Sequence, residues 1–207
     1  MTTKTEIANL ALVQIAQNPV QDVDTDQSTG ASTIRAVYDL CLRKLLAEVK
    51  PSFARRRVEL AADATFPVGL YGYPYSYTLP PDYVCIVENT RDAQTASVWQ
   101  ALNTFGPIQK QWDLIGNKIL SYNAGPLQVD YIASSGDPIN YYPSFSVALS
   151  YSLAANTANK ILQNMQLSAR LEATAERYRI AAIAHAAALE TPDQIINSSR
   201  WLASRPL

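Results

Sequence analysis

The feature that most constrains the fold is a change in the spacing of apolar residues along the chain. They recur at helical intervals before about residue 50 and after residue 138, and they follow strand patterns in between. Helices on both sides of a strand segment predict an α+β protein whose two chain ends form one helix bundle. We therefore predict a helical bundle domain from residues 1–52 and 138–190, an inserted antiparallel β domain at 53–137 and an extended C-terminal tail at 191–207.

Four helices are predicted from start and stop residues around apolar faces. The second of them has the clearest division into an apolar and a charged face. The predicted boundaries are a capping box at Thr3 and Glu6, a stop at Asn18-Pro19, a second helix over 34–49 that ends at Pro51, a third helix capped by Ser144 and a fourth over 168–189.

The middle of the chain predicts strands. A two-residue turn at Gly116-Asn117 separates two short apolar runs and is typical of a β-hairpin. Tyrosines also recur at spacing two, which is the period of a strand. The predicted strands are the tyrosine segment (Tyr71, Tyr73, Tyr75 and Tyr77), residues 83–87, the hairpin over 112–121 and residues 127–132.

Composition limits the partners of the chain. The 207 residues carry 17 Lys and Arg against 18 Asp and Glu, so the chain lacks the basic field of a protein that coats DNA. Charged residues are 17% of the chain, below the roughly 25% of an average domain, which favours a neutral surface used for protein contacts. The longest stretch without charge, 138–159, holds too many polar groups for a membrane span, so we expect no membrane insertion.

Cellular compartment is indicated by two further features. The N-terminal residues lack the pattern of a signal peptide. Cys41 and Cys85 lie in apolar runs without a second ligand at metal spacing, which predicts buried, reduced thiols. We expect the chain to stay in the cytoplasm of the cell that makes it.

Catalytic and cofactor motifs are missing from the sequence. There is one histidine, His185, in an alanine-rich segment, and there is no phosphate-binding glycine loop or nucleophile elbow. The three aspartates at 22, 24 and 26 imitate a calcium loop, but Gln27 and Thr33 replace its glycine and glutamate, which favours a solvated loop that caps the second helix. No pair of acids stands out among Asp82, Glu88 and Asp130. We expect no catalytic residue, cofactor or metal.

Two clusters have both a functional and a structural interpretation. Arg55, Arg56 and Arg57 form the one dense cationic run; on a strand, Arg55 and Arg57 share a face that can meet partner carboxylates or DNA phosphates, or the run can be a charged sheet edge. The alternating tyrosines can stack on sugars, or they can pack within the sheet and against a partner.

The order of several motifs resembles the tail tubular protein A family, the head-to-tail adaptors of short-tailed bacteriophages. The likeness spans almost the whole chain. It is carried by residues 7–20 (IANLALVQIAQNPV), 77–82 (YTLPPD), 112–131, Asp137-Pro138, 141–145 (YYPSF), the helix at 147–158 and 198–205 (SSRWLASR).

The resemblance implies a structural virion protein without enzymatic activity. It would form a ring of about twelve subunits under the portal protein, extend the DNA channel and carry the tail nozzle and tail fibres. Double-stranded DNA would pass through the lumen without sequence-specific binding, and the near-neutral charge suits such a conduit. The expected location is the head-to-tail interface of the virion, after assembly in the host cytoplasm.

Several residues are candidates for contacts in such an assembly. Ser146, Ser150 and Ala154 recur every four residues on an uncharged helix and permit close approach of another helix, from the same subunit or from a ring neighbour. With them, Tyr71, Tyr73 and Tyr75 form the predicted subunit interface, and Arg55, Arg56 and Arg57 are a weaker candidate for channel or partner contact. The predicted portal-docking tail is Ile195, Arg200, Trp201, Leu202 and Arg205, although Trp201 can instead pack back on its own bundle.

Two alternatives stay open. One is a virion-associated glycan-binding or glycan-hydrolysing protein acting on the host envelope, in which the tyrosines line a sugar groove and two acids cut the glycan. The other is a cytoplasmic homo-oligomeric scaffold that is unrelated to phage.

Overall fold

The computed structural model describes residues 2–64, 72–87, 112–122, 126–134 and 137–190. Helices and two small antiparallel sheets are both present, so the predicted α+β class is confirmed. The elements are α1 (Lys4–Gln14), α2 (Thr29–Val49), β1 (Arg55–Leu60), β2 (Tyr75–Thr78), β3 (Tyr83–Ile86), β4 (Trp112–Ile115), β5 (Lys118–Ser121), β6 (Leu127–Ala133), α3 (Pro143–Leu162) and α4 (Met165–Glu190).

Contacts divide the chain into two compact units. One consists of Met1–Cys41 and Pro138–Leu207, and we call it the helical unit; the other, Leu42–Asp137, is the strand unit. The division falls within α2, so the last two turns of this helix belong with the strands.

The first helix begins as predicted and ends earlier than predicted. Thr3 and Glu6 form the capping box reciprocally, each side chain bonding the backbone N–H of the other. The helix ends at Gln14, ahead of Asn18-Pro19, because Ala16 adopts a left-handed φ of 55° and the following N–H turns back to the carbonyl of Leu12. The backbone, rather than the proline, therefore stops α1.

The second helix shows the predicted apolar face. Ile34, Leu45 and Leu46 are buried, and Lys50, at a φ of 49°, ends the helix just before Pro51. Its N-terminus is capped by Ser28, whose Oγ accepts a hydrogen bond from the N–H of Ala31.

The third and fourth helices both start earlier than predicted. Because α3 begins at Pro143, Ser144 lies inside the first turn and is not the N-cap; its hydroxyl bonds His185 of α4. Asn164 caps α4 by accepting from the N–H of Leu167. Within the helical unit, α3 packs against both α1 and α4, and Phe145, Leu149 and Leu153 are fully buried.

The strand unit contains two three-stranded sheets. Their strand orders are β1-β6-β3 and β2-β5-β4, and every pairing is antiparallel. The predicted hairpin is confirmed as β4 and β5, which are joined by Gly116-Asn117 with Gly116 at a φ of 61°. Side chains of both sheets form one shared core: Leu60, Tyr77, Leu79, Ile119 and Val129.

Asp63 ties the segment after β1 to the second sheet. Its carboxylate accepts from Ser76 at 2.7 Å, from Thr78 at 3.0 Å and from Lys118 at 2.9 Å. Burial alone would raise the pKa of Asp63, but these hydrogen bonds outweigh it and hold the pKa below its ordinary value. The carboxylate therefore stays ionised at neutral pH and links the segment after β1 to strands β2 and β5.

Candidate functional site

Two of the three consecutive arginines converge on one buried carboxylate. β1 is an edge strand among the described residues, and Arg57 lies directly opposite Asp130 of β6. Arg57 holds Asp130 with two bonds, of 2.6 and 2.9 Å, and Arg55 adds a third at 2.9 Å. The Asp130 side chain is only 2% exposed. The hydrogen bonds from Arg57, followed by those from Arg55, outweigh burial and lower the pKa of Asp130 below its ordinary value.

The third arginine lies on the opposite face of β1. Arg56 donates to Asp82 at 3.0 Å, and Asp82 also accepts from the hydroxyl of Tyr131 at 3.2 Å. All three guanidinium groups are therefore ion-paired within the chain. The side chains of Arg56 and Arg57 still remain half-exposed along the sheet edge, where a partner can reach them.

The tyrosines do not form one exposed row. Tyr77 is fully buried in the shared core, and Tyr75 packs against that core from the side. Tyr73 lies before β2 and pairs with the half-exposed Tyr122 at 4.9 Å between ring centroids. Tyr71 lies outside the described residues. Tyr77 thus has no ring surface to offer a sugar, and sheet packing accounts for Tyr75 and Tyr77.

The row of small residues on α3 is covered within the chain. Ser146, Ser150 and Ala154 are 4%, 1% and 0% exposed. Gln14 of α1 donates to the Oγ of Ser150 at 3.2 Å, which places α1 against this row. Of the two possibilities that the spacing left open, a helix of the same subunit or of a ring neighbour, the described structure places a helix of the same chain against this row.

A groove between α1 and α3 lies next to this row. It has a volume of about 480 Å³ and is lined by Glu6, Leu10 and Val13 of α1 and by Pro143, Ser146 and Val147 of α3. Leu10 is 46% exposed and Val13 is 62% exposed. Apolar residues occur on all sides of α1, and this pattern indicates a second apolar surface beside the buried one. That surface was not predicted from the sequence.

The end of α4 presents an uncharged surface to solvent. Residues 180–189 contain no charged side chain, and Ile180, Ala184 and Leu189 are exposed. Only Ala182 and Ala186 of this stretch are buried. Small exposed side chains allow another helix to approach closely.

His185 and the acidic loop have structural partners. The Nδ1 of His185 lies 2.9 Å from the Oγ of Ser144, and its ring packs edge-on against Tyr142. Asp22 accepts from the N–H of Asp24, and Asp26 accepts from the N–H of Ser28. The cap of α2 is the Ser28 hydroxyl, so these carboxylates order the loop before the helix and do not cap it directly. In the part of the chain that is described, no group of three or more metal-ligating side chains converges.

The cysteines, the predicted docking tail and the expected absence of a membrane span remain to be compared with the structure. Neither Cys41 nor Cys85 is in a disulfide; Cys41 is buried and Cys85 is half-buried. The docking residues Ile195, Arg200, Trp201, Leu202 and Arg205 lie outside the described residues, as does Glu88. None of the described helices has the length and apolar character needed to cross a membrane.

Comparison with known proteins adds no assignment. No protein-family model matches the chain, and no curated protein matches its sequence. The function is therefore inferred from the residues and surfaces described above.

Proposed function

We propose that this chain is a structural virion protein, a head-to-tail adaptor that forms a ring of about twelve copies under the portal. It extends the DNA channel and provides the attachment surface for the tail nozzle and fibres. Its mechanism is assembly, and no reaction is catalysed. The proposal starts from the ordered motifs that resemble the adaptor family, which run from residue 7 to residue 205.

One structural observation carries the proposal: the exposed, uncharged end of α4. A helix surface of ten residues without charge is unusual on a protein that stays alone in water, and charge depletion is typical of the centre of protein interfaces. The preceding part of the same helix carries Glu172, Glu176, Arg177 and Arg179, so the two halves differ sharply in character. We assign residues 180–189 to the contact between ring neighbours.

Charge supports the conduit part of the proposal. A net charge of −1 leaves no general attraction for phosphates, so DNA can pass without being held. The three described arginines of β1 are ion-paired with two acids, Asp82 and Asp130, which reduces their pull on a passing backbone.

The test is co-purification of the tagged chain from cells that produce the virion. The informative variant is Ala184→Glu, which places a charge on the exposed apolar half of α4. Its matched control is Ala173→Glu, an exposed alanine of the same helix within the charged half. Wild type and control are expected to recover a portal ring protein in a fixed, many-copy ratio, whereas Ala184→Glu loses it while keeping its helical circular dichroism.

Two outcomes would contradict the proposal. Assembly of Ala184→Glu at the wild-type ratio would remove α4 from the interface. Recovery of the wild type alone, together with release of soluble glycan from host envelopes, would favour the glycan-binding or glycan-hydrolysing alternative.

A further inference from the structure

The groove between α1 and α3 leaves apolar side chains in contact with water. Leu10 and Val13 are 46% and 62% exposed on one wall, and Pro143 and Val147 form the other. Its volume of about 480 Å³ lies within the range of pockets that hold several large side chains. Burial of this surface by an occupant is favourable through the hydrophobic effect.

Ser146 adds an unsatisfied polar group at this groove. The residue is 4% exposed, and its Oγ has no hydrogen-bond partner among the described residues. Ser150, one turn further along α3, has two partners, Gln14 and the carbonyl of Val147. Buried hydroxyls are normally satisfied, so the lone Oγ of Ser146 indicates a site that is completed by another group.

We propose that the groove binds the C-terminal segment of the same chain, residues 191–207. Geometry brings this segment to the groove: His185 of α4 lies 2.9 Å from Ser144 in the first turn of α3, beside the groove residue Pro143. Only five residues of α4 follow His185, an axial rise of about 8 Å. Each residue beyond the helix can span about 3.5 Å, so a short part of the segment is long enough to reach Leu10.

The chemistry of the segment fits the groove. It contains two apolar pairs, Ile195-Ile196 and Trp201-Leu202, which match the exposed walls. Glu6 is the one charged side chain among the described lining residues, and the segment carries Arg200 and Arg205 against a single acid, Asp193. Attachment to the same chain gives the segment a high effective concentration at the groove, which favours its own copy over a second one.

This inference does not depend on the adaptor role. It concerns the isolated chain, and it holds or fails whether or not the protein binds a portal. If both are correct, the same segment leaves the groove when a partner competes for it.

Cysteine cross-linking of the full-length chain tests the site. In a Cys41→Ala, Cys85→Ala background, Val13→Cys is combined with Leu202→Cys and oxidised with copper phenanthroline in air. The matched control combines Leu40→Cys with Leu202→Cys, because Leu40 is 73% exposed in the same unit and does not line the groove. We expect a disulfide within one chain for the groove pair and none for the control pair.

Three results would overturn the proposal. These are no cross-link for the groove pair, equal cross-linking of the control pair, or a disulfide between two chains that increases with protein concentration. The last result would identify a second copy as the occupant.

Limited trypsin digestion tests the same contact with both native cysteines in place. Leu10→Asp places a charge in the groove and is expected to speed cleavage after Arg200 by about tenfold, which corresponds to about 1.4 kcal/mol of lost docking. Leu40→Asp is expected to leave the rate unchanged. Equal cleavage rates in wild type and Leu10→Asp would contradict the proposal.

Discussion

At the scale of single residues, Asp130 shows how a buried charge is accommodated in a small sheet. Its carboxylate is almost fully covered, yet Arg55 and Arg57 satisfy both oxygens. The arginines themselves stay partly hydrated at the edge strand, so the group does not have to be dehydrated as a whole. The ion pairs of Arg55 and Arg57 with Asp130 therefore favour a single register of β1 against β6.

Removing this carboxylate is expected to destabilise the strand unit. Asp130→Asn removes the negative charge and replaces one of the two acceptor oxygens with an NH₂ donor that faces the guanidinium groups, and it should lower the free energy of unfolding by about 1–3 kcal/mol. Glu59→Gln is the matched control, because Glu59 is exposed on the same face of β1, and it should cost less than about 0.5 kcal/mol. Urea unfolding measures both; equal losses in the two variants would show that Asp130 acts through general charge.

The same residue predicts a pH dependence. The pKa of Asp130 is held below its ordinary value of 3.8 by the hydrogen bonds from Arg57 and Arg55. Because the folded pKa is lower than the unfolded one, the stabilisation is fully present above about pH 5 and is lost as the pH falls through the folded pKa. The stability gap between wild type and Asp130→Asn should therefore be constant from about pH 5 to 8 and shrink below about pH 4. A stability difference between wild type and Asp130→Asn that grows in acid would contradict a lowered pKa of Asp130 in the folded protein.

Sequence reasoning recovered part of this cluster. Strand alternation predicts that Arg55 and Arg57 share a face, and they do. Their acceptor lies 73 residues from Arg57, and only the strand pairing brings it there. A pattern with a period of two specifies which side chains share a face, but it does not specify which strand lies alongside.

At the scale of elements, local signals succeeded where the relevant contacts are local. The capping box of α1 and the two-residue hairpin turn depend on residues within a few positions of each other, and both were predicted from them. The row of Ser146, Ser150 and Ala154 was correctly identified as a close-packing surface. Its spacing cannot show which helix covers it, because α1 and a helix of another subunit would require the same small side chains.

Gly116 should be sensitive to substitution for reasons of backbone conformation alone. It has a φ of 61°, and a Cβ at this position would meet nothing within 4 Å. Gly116→Ala is therefore expected to cost about 1–2 kcal/mol through the left-handed conformation, without any clash. Gly116→Asn should lose less, since asparagine tolerates this region. Thermal unfolding of both variants checks this; equal losses would indicate a packing effect.

At the scale of the whole molecule, the described fold lies within residues 2–190. A chain lacking residues 195–207 should accordingly still fold in a single cooperative transition, because none of the described core residues is removed. Under the proposed function it should fail to co-purify with the portal, because the candidate anchor Trp201 is lost. Calorimetry and the pull-down measure the two properties separately. Normal portal recovery by the shortened chain would exclude the tail as the docking element.

The α+β class was predictable at this scale because helical and strand periods occupy separate stretches of sequence. The pairing of strands was not, since neighbours in a sheet need not be neighbours in the chain. β6 is central in its sheet and pairs with β1, from which more than sixty residues separate it.

The position of β6 also determines when the protein can fold during its synthesis. β6 lies between β1 and β3 and is hydrogen-bonded to both, so their sheet cannot form until residue 133 has left the ribosome. The helical unit is completed later, because α1 packs against α3, which is translated after all of the described strands. About two thirds of the chain must therefore emerge before the strand unit is complete, and nearly all of it before the helical unit is complete. The nascent protein exposes its apolar segments to chaperones for most of its translation.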